Sequence, residues 1–335
     1  MNNSSLKIHL APLQGHTDSF YRNAHQSVFG GVDTYYTPFV RLEKGQKFRT
    51  RELRDINPEN NTVSDLIPQL IASTPDELKE IADLFLKNGY TRADLNMGCP
   101  FPMLARRHKG SGLLAHPDEV EALLKAMAEI PELKFSVKMR LGWDSPEEAM
   151  NLISLLNDAP LVHIGLHARL GKQQYKGETD REAFAAFYEA CKHPLFYNGD
   201  LRTSQDITDI ITRFPNLAGV MIGRGILANP ALASEFKNGG MAMDPKEKKK
   251  KMHELHDLIF SQYNEYLQGE KQLLEKMKPF WEYLSDELEK RTRKKIEKAS
   301  KLSQYEAAVA LAFSQWGKVE RSAVDDEDDS SVNIL

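Results

Sequence analysis

Short runs of apolar and β-branched residues, each followed by turn residues, recur along the first two thirds of the chain. They predict eight strands, at residues 7–11, 32–37, 66–71, 92–96, 135–140, 161–167, 195–198 and 219–222. Segments with apolar residues at helical spacing lie between most of these strands. Thr74 and Pro75, for example, supply a capping residue and a first-turn proline before a helix whose apolar face is Leu78, Ile81, Ala82 and Phe85.

Eightfold alternation of strand and helix over about 220 residues is typical of an α/β protein with a (β/α)8 TIM barrel. A doubly wound open sheet is the alternative, and the number of strands alone does not exclude it. Polar and glycine residues at the ends of the predicted strands favour the barrel, because a barrel gathers such positions on one face whereas an open sheet spreads them along an edge. These residues are Gln69, Asn96, Lys138, His167, Asn198 and Gly223.

The pattern changes after Pro245, where strand-like runs end and apolar residues recur only at helical spacing. We therefore predict a barrel domain at residues 1–240 and a helical domain at 245–323. The glycine pair after Asn238 is the natural linker between them. Residues 324–335 contain five consecutive acidic residues and are predicted to form a disordered acidic tail.

The composition is that of an ordinary globular protein, with 41% hydrophobic and 27% charged residues among 335. This excludes disordered, collagenous and small disulfide-rich classes. The two cysteines, Cys99 and Cys191, are too few for a disulfide framework and indicate a reducing compartment. No apolar run approaches the roughly 20 residues that span a bilayer, and the first residues lack a signal-type apolar region. We therefore expect a cytoplasmic protein with no membrane contact and no obligate protein partner.

The formal charge of −4 argues at first against a nucleic-acid partner. Its distribution along the chain changes that interpretation. Residues 245–323 carry 17 Lys and Arg against 13 Asp and Glu, a net charge of +4, whereas residues 1–244 carry −3 and the tail −5. The helical domain is thus basic, as expected for a surface that contacts a polyanion, and the acidic tail hides this in the total.

Cys99 follows the fourth predicted strand and lies between Gly98 and Pro100, so it is expected at the barrel mouth. An isolated cysteine is more often a small buried hydrophobe, and Cys191, in a helix with apolar spacing, fits that interpretation. Histidines are scattered along the chain and no CxxC spacing occurs, so we predict no metal site.

Glycine-containing turns follow the last two strands, at Asn198-Gly199-Asp200 and Gly223-Arg224-Gly225. Barrels commonly bind phosphate at these two loops, and an arginine adds a charged contact. Gln69, Lys138 and His167 suit a flat heterocycle with several acceptors. Lys138 could instead form a Schiff base or pair with a carboxylate.

A basic segment at residues 106–112, Arg106-Arg107-His108-Lys109-Gly110-Ser111-Gly112, follows the Cys99 loop. It is either a solvated surface loop or a mobile segment beside the site that meets a polyanionic substrate.

Together these motifs resemble the tRNA-dihydrouridine synthase family of flavin enzymes. The residues 11–18, APLQGHTD, are similar to the family's APMxGxTD, and the residues 94–100, DLNMGCP, to its DxNxGCP. The likeness continues through residues 138–142, 167–169, 198–200 and 221–225, in the same order and spacing. Leu13 and Gln14 replace the family's more common Met and Ala or Glu.

The resemblance implies a bound FMN, reloaded by NADPH or NADH, and a tRNA substrate held by its D loop and elbow. Pro12, Leu13 and Gln14 would line the isoalloxazine, with Gln69 and Lys138 at its polar edge. The ribityl and phosphate groups would be held by His167, Asn198, Gly199, Asp200, Gly223 and Arg224. Cys99 would be the catalytic acid that protonates C5 of uridine as hydride reaches C6. The substrate contacts would be Asn96, Arg106, Arg107 and Lys109.

Residues 39–41, 141–145 and the segment around Trp281 look most like the bacterial subgroup that modifies position 16 of the D loop. Two other functions remain open at this point. One is an FMN-dependent barrel acting on a free pyrimidine, similar to the dihydroorotate or dihydropyrimidine dehydrogenases. The other is an RNA-binding protein that has kept the fold and lost the chemistry. A basic helical domain favours the tRNA enzyme over the first of these.

Overall fold

The structure is a computed structural model that describes residues 6–43, 45, 47–284 and 287–317. In these residues, nine strands form one sheet in which every pair is parallel. They are β1 Lys7–Leu10, β2 Thr34–Tyr36, β3 Leu66–Ile67, β4 Gln69–Leu70, β5 Arg92–Met97, β6 Lys134–Gly142, β7 Leu161–Leu170, β8 Leu195–Asn198 and β9 Gly219–Ile222.

The sheet closes into a barrel. Its strand order is β3-β2-β1-β9-β8-β7-β6-β5-β4, so the two strands at its ends, β3 and β4, are consecutive along the chain. They are the halves of the single strand predicted at residues 66–71, separated by Pro68, which has no N–H for the ladder. The barrel prediction is confirmed, the open sheet is excluded, and the third predicted strand is corrected to two short ones.

The helix after β4 begins as predicted, and side chains cap this helix and a later one. The Thr74 hydroxyl accepts a hydrogen bond from the Glu77 N–H at 3.3 Å, and Thr203 forms a capping box with Asp206. The helices are α1 Ser19–Val28, α2 Thr50–Ile56, α3 Pro75–Lys87, α4 Pro102–Ala105, α5 Pro117–Ala128, α6 Glu147–Asn151, α7 Ile153–Asp158, α8 Arg181–Ala190, α9 Ser204–Arg213, α10 Arg224–Ala228 and α11 Leu232–Lys237. Short 3-10 turns occur at Pro58–Asn60, Gly110–Ala115 and Lys278–Trp281.

The segment after the glycine pair is helical, as predicted. It contains α12 Pro245–Tyr266, α13 Glu270–Met277, α14 Lys290–Lys298 and α15 Leu302–Gln315. Its core surrounds Trp281, whose indole N–H donates to the Tyr305 hydroxyl at 3.0 Å, while His256 lies 2.9 Å from the same hydroxyl. Residues 318–323 of the predicted helical domain and the acidic tail lie outside the described residues.

This helical region packs against the start of the barrel. Asp18 caps α1, and its second carboxylate oxygen accepts a hydrogen bond from the Tyr263 hydroxyl of α12. Arg54 lies between two aromatic rings, 4.6 Å from the centroid of Phe20 and 4.5 Å from that of Tyr266. The contact therefore fixes α12 beside the first strand-to-helix loop of the barrel. In the part of the chain that the structure describes, no helix is both long and apolar enough to span a membrane.

Candidate active site

A cavity of about 400 Å³ opens at the C-terminal ends of the barrel strands. This volume is within the range usual for pockets that hold cofactors, roughly 300–1,000 Å³. The cavity brings together all of the predicted cofactor and catalytic residues, and Asn96: Pro12, Leu13, Gln14, Gln69, Asn96, Cys99, Lys138, His167, Asn198, Gly199, Asp200, Gly223 and Arg224.

Strands β4, β5 and β6 place polar side chains in two layers inside the barrel. In one layer, Asp94 lies in register with Gln69 on one side and Ser136 on the other. In the layer above, Asn96 lies in register with Lys138. Because alternate residues of a strand point to the same face, positions two apart reach the interior together. Strand geometry alone therefore stacks these polar groups beneath the cavity.

Hydrogen bonds on both sides of Cys99 hold its backbone. Its N–H donates to Asn96 Oδ1 at 2.8 Å, and its carbonyl oxygen accepts from the Ser111 N–H at 3.0 Å and the Ser111 hydroxyl at 2.8 Å. Gly110 fits against this loop only because it lacks a Cβ, which would lie 2.6 Å from the Cys99 carbonyl oxygen. Burial raises the pKa of the Cys99 thiol, which outweighs the opposite effect of Arg140 and Lys138. The thiol is therefore protonated at neutral pH.

The Lys138 side chain extends from β6 towards β8 and lines the cavity. Its ammonium group donates a hydrogen bond to Asn198 Oδ1 at 3.1 Å. Enclosure in the barrel, followed by the charge of Arg140, lowers the pKa of Lys138 to about 8. The lysine is still mostly cationic near neutral pH, and an acceptor or anion that enters the cavity would stabilise this charge.

The other end of the cavity suits an anion. Asp200 accepts hydrogen bonds from Arg169 at 3.0 Å and from Arg224 at 2.8 Å, and the Arg224 guanidinium lies 4.4 Å from the centroid of the Tyr175 ring. Burial raises the pKa of the Asp200 carboxyl, but the two arginines hold it below its ordinary value overall. For His167, burial and nearby cations keep the pKa well below its usual range, so the imidazole is neutral.

The basic segment after Cys99 does not line the cavity. Arg106 and Arg107 are exposed, whereas Lys109 is only 8% exposed and donates to the Glu77 carboxylate at 2.7 Å. The next residues form the buried 3-10 turn Gly110–Ala115 that supports Cys99. Lys109 and the residues after it are therefore neither a solvated surface loop nor a mobile segment that meets a polyanion. The chain turns inward at His108, where φ is +52°.

Several residues of the cavity wall were missed by the sequence analysis. Arg140 follows Lys138 by two positions on β6 and donates to three backbone oxygens, while its Nη2 is buried and lacks a hydrogen-bond partner among the described residues. The period-two pattern of a strand could have identified it. The helical region contributes Glu275, Pro279, Glu282 and Tyr283 to the rim, and no sequence signal connects these residues to the barrel.

Two histidines that are separated along the sequence come together in the structure. His108 and His116 stack with their centroids 3.5 Å apart, and His108 Nδ1 lies 2.7 Å from a Glu119 carboxylate oxygen. The potential ligand atoms of these three residues all lie within 4.8 Å of one another. The turn at His108 brings them together, since they are separated by up to 11 residues along the chain. The hydrogen bond and the ring stacking account for this arrangement.

The residues around the cavity fit FMN. A flat aromatic group requires donors at a polar edge, which Gln69 and Lys138 offer, and a phosphate requires a cation, which Arg224 supplies. Gly223 packs closely against Leu13 on the cavity wall, because a Cβ there would lie 3.1 Å from Leu13 Cδ1.

The barrel, this donor set and the protonated thiol together define an oxidoreductase of the flavin-dependent barrel class. Within this class, the chain matches the family model of dihydrouridine synthase over residues 9–316 and belongs to that family.

Curated relatives include tRNA-dihydrouridine(16) synthase of Pseudomonas putida, which is 30% identical over 69% of this chain and 73% of its own. Another is tRNA-dihydrouridine synthase B of Vibrio vulnificus, 27% identical over 69% of this chain and 70% of its own. Among solved structures, morphinone reductase has a TM-score of 0.51 at 12% identity, covering 74% of this chain and 91% of that one. Histamine dehydrogenase from Rhizobium sp. 4-9 has a TM-score of 0.52 at 11% identity, covering 75% and 49%. At such low identity these structures support the barrel fold alone.

Proposed function

We propose that this chain reduces the C5=C6 bond of a uridine in the D loop of tRNA, using FMN that is reloaded by NADPH. The observation that carries the proposal is the protonated Cys99 thiol at the mouth of a cavity whose donors fit a flavin. The relatives named for tRNA modification support the same reaction and do not favour a free pyrimidine as substrate. Because the substrate would be cytoplasmic tRNA, we expect the chain to act in the cytoplasm.

Reduced FMN, when bound, supplies a hydride to C6 of the uracil. Cys99 donates the matching proton to C5 as a general acid. A thiol with a raised pKa keeps this proton until the base arrives, and Lys138 and Arg140 stabilise the thiolate that remains. Asn96, which lies on the strand that leads into the Cys99 loop and lines the cavity, would orient the uracil.

The chain's own residues would hold the cofactor in three groups. Pro12, Leu13 and Gln14 would line the ring system, and Gln69 and Lys138 would donate to its polar edge. The ribityl and phosphate groups would be held by His167, Asn198, Gly199, Asp200, Gly223 and Arg224, all of which line the cavity.

Residues 245–323 would form the RNA-binding domain beside a catalytic domain of residues 1–240. A groove of about 570 Å³ between α14 and α15 supports this division, because it carries four cationic side chains over a floor that includes Ala299 and Ala308. Those side chains are Arg291, Lys294, Lys295 and Lys298. Such a surface suits the phosphate backbone of RNA, and the exposed Arg106 and Arg107 would contact the same molecule nearer the cavity.

Cys99→Ala tests the function, with Cys191→Ala as its matched control. Cys191 lies at the end of α8 and is not part of the cavity wall, so its variant should behave as the parent does. Cys99→Ala should keep its flavin absorption and lose most dihydrouridine formation on tRNA. Near-normal dihydrouridine formation by Cys99→Ala would exclude the thiol as the acid. Mapping dihydrouridine in tRNA from cells that lack the protein would identify the uridine.

A further inference from the structure

Asp94 is a fully buried carboxylate on β5 that does not line the cavity. Both of its oxygens accept hydrogen bonds from neighbouring strands. The Ser136 hydroxyl donates to Oδ1 at 2.6 Å, and Gln69 Nε2 donates to Oδ2 at 2.7 Å. The reaction described above assigns it no part, yet a buried charge is costly and is retained only with partners of this kind.

A row of hydrogen bonds leads from Asp94 to the Cys99 loop. Gln69 Oε1 accepts from Asn96 Nδ2 at 2.7 Å. Asn96 Oδ1 in turn accepts from the backbone N–H groups of Gly98 at 3.0 Å and Cys99 at 2.8 Å. In both amides the NH2 group thus points towards Asp94 and the carbonyl oxygen points towards Cys99.

The direction of this row depends on the carboxylate. A reversed Gln69 amide would place its carbonyl oxygen against a carboxylate oxygen, so that two acceptors would face each other. Asn96 would then meet an NH2 group instead of a carbonyl and would have to reverse as well. A reversed Asn96 would turn its NH2 group towards the Cys99 N–H, which would lose its acceptor. Asp94 at one end of the row and the N–H groups of Gly98 and Cys99 at the other therefore favour the same orientation of both amides.

We propose that Asp94 is a positioning residue for the proton transfer, acting through Gln69 and Asn96 to hold the backbone of Cys99. The role rests on the proposed function. It also has a second consequence, because each amide has one further N–H, and both residues line the cavity. A fixed orientation presents these as donors to whatever the cavity binds.

The charge of Asp94 agrees with this role. Burial raises the pKa of the Asp94 carboxyl to about 6, against the lowering effect of the hydrogen bonds from Ser136 and Gln69 and of the charge of Lys138. The group is therefore mainly ionised at neutral pH and accepts at both oxygens.

Asp94→Leu and Asp94→Asn separate the hydrogen-bonding role from bulk. Leu has a similar size and accepts nothing, whereas the Asn carbonyl can still accept from Gln69 while its NH2 group donates to Ser136. Reduction of the bound flavin by NADPH should fall much less than its reoxidation by tRNA in both variants, because, of the residues in the row, only Gln69 is proposed to contact the flavin. Anaerobic reoxidation by tRNA should fall about 100-fold in Asp94→Leu, the effect of misplacing a reacting group by about 1 Å, and only a few-fold in Asp94→Asn. Equal losses in both half-reactions of Asp94→Leu would reduce Asp94 to a structural role and overturn the proposal.

A double-mutant cycle keeps the test valid if Asp94→Leu does not fold. Ser136→Ala alone leaves the row to Cys99 intact, and Asp94→Asn alone keeps partners for both ends of its amide, since the Ser136 hydroxyl can accept from the NH2 group while Gln69 donates to the carbonyl oxygen. The double variant has no such constraint, so its reoxidation by tRNA should fall at least tenfold below the product of the two single effects. If the loss of reoxidation rate in the double variant equals the product of the two single losses, the hydrogen-bond row does not couple Asp94 to Cys99.

Alkylation of Cys99 by iodoacetamide tests the positioning independently of tRNA. In the parent and in the Asp94→Asn/Ser136→Ala variant, Cys191 serves as the internal reference thiol. Release of the Cys99 loop should raise the Cys99-to-Cys191 rate ratio at least fivefold. An unchanged ratio would overturn the role of Asp94. A changed ratio together with a parent enzyme that tRNA does not reoxidise would instead refute the proposed function while upholding the positioning.

Discussion

Gly110 supports the catalytic loop, and its replacement by alanine should separate loop position from cofactor binding. The glycine has φ +61°, and a Cβ would lie 2.6 Å from the Cys99 carbonyl oxygen and 2.7 Å from the Cys99 Cβ. Gly89, with φ +79° and no atom within 4 Å of its Cβ position, is the matched control. Both variants place alanine in the left-handed region, but only Gly110→Ala adds a collision.

The magnitude follows from these distances. Left-handed backbone costs an alanine about 1–2 kcal/mol, and this term should account for all of the destabilisation in Gly89→Ala. Gly110→Ala must also move the Cys99 backbone by about 0.8 Å to restore a contact of 3.4 Å. Overpacking of this kind costs a further 1–3 kcal/mol or so. A shift near 1 Å at a reacting group can lower the rate about 100-fold.

Urea denaturation gives the free energy of unfolding, and stopped-flow spectroscopy gives the two flavin half-reactions. We expect Gly110→Ala to retain FMN, to be reduced by NADPH at the parental rate and to be reoxidised by tRNA about 100-fold more slowly. Gly89→Ala should match the parent in both half-reactions. If Gly110→Ala were reoxidised as fast as Gly89→Ala, the position of Cys99 would not limit the proton transfer.

Three further predictions concern charge. Arg224→Ala should lower FMN occupancy, whereas Arg213→Ala, which removes a surface pair with Glu182, should not; equal occupancy in the two variants would remove Arg224 from the phosphate site. Changing Lys294, Lys295 and Lys298 to Gln should weaken tRNA binding. The slope of log binding constant against log salt concentration should become shallower by about one unit for each phosphate that is no longer neutralised. The same changes at the exposed Lys79, Lys125 and Lys134 should leave the affinity and the slope unchanged. Lys138 has a pKa of about 8 when folded and about 10.4 when unfolded, so the unfolded chain binds more protons in between. The stability of the flavin-free protein should therefore rise with pH across that window, and urea titrations should show no such rise in Lys138→Met.

The barrel could be predicted because its strands are locally encoded. Apolar runs followed by turns locate all eight strand regions, and polar residues at their ends converge for geometric reasons alone. Pro68 is a further local signal, since a proline inside a predicted strand indicates a break in the ladder.

The less local features of the site could not be obtained in this way. Lysine is a residue type that is usually exposed, and the burial of Lys109 depends on its ion pair with Glu77, 32 residues earlier in the chain. The contribution of Tyr283 to the cavity rim depends on how α12 packs against α1. Neither contact has a periodic pattern, so only the folded chain reveals it.

The loop at residues 12–18 contacts both halves of the molecule. Leu13 lines the cavity, His16 packs against Tyr283 with centroids 5.1 Å apart, and Asp18 accepts the hydrogen bond from Tyr263. In a chimaera that exchanged the helical region for that of a relative, the residues that contact His16 and Asp18 would change, while the loop would still line the cavity. A transplant designed to change which uridine is modified would therefore have to carry residues 12–18 with it, so the boundary of the exchangeable module includes part of the barrel.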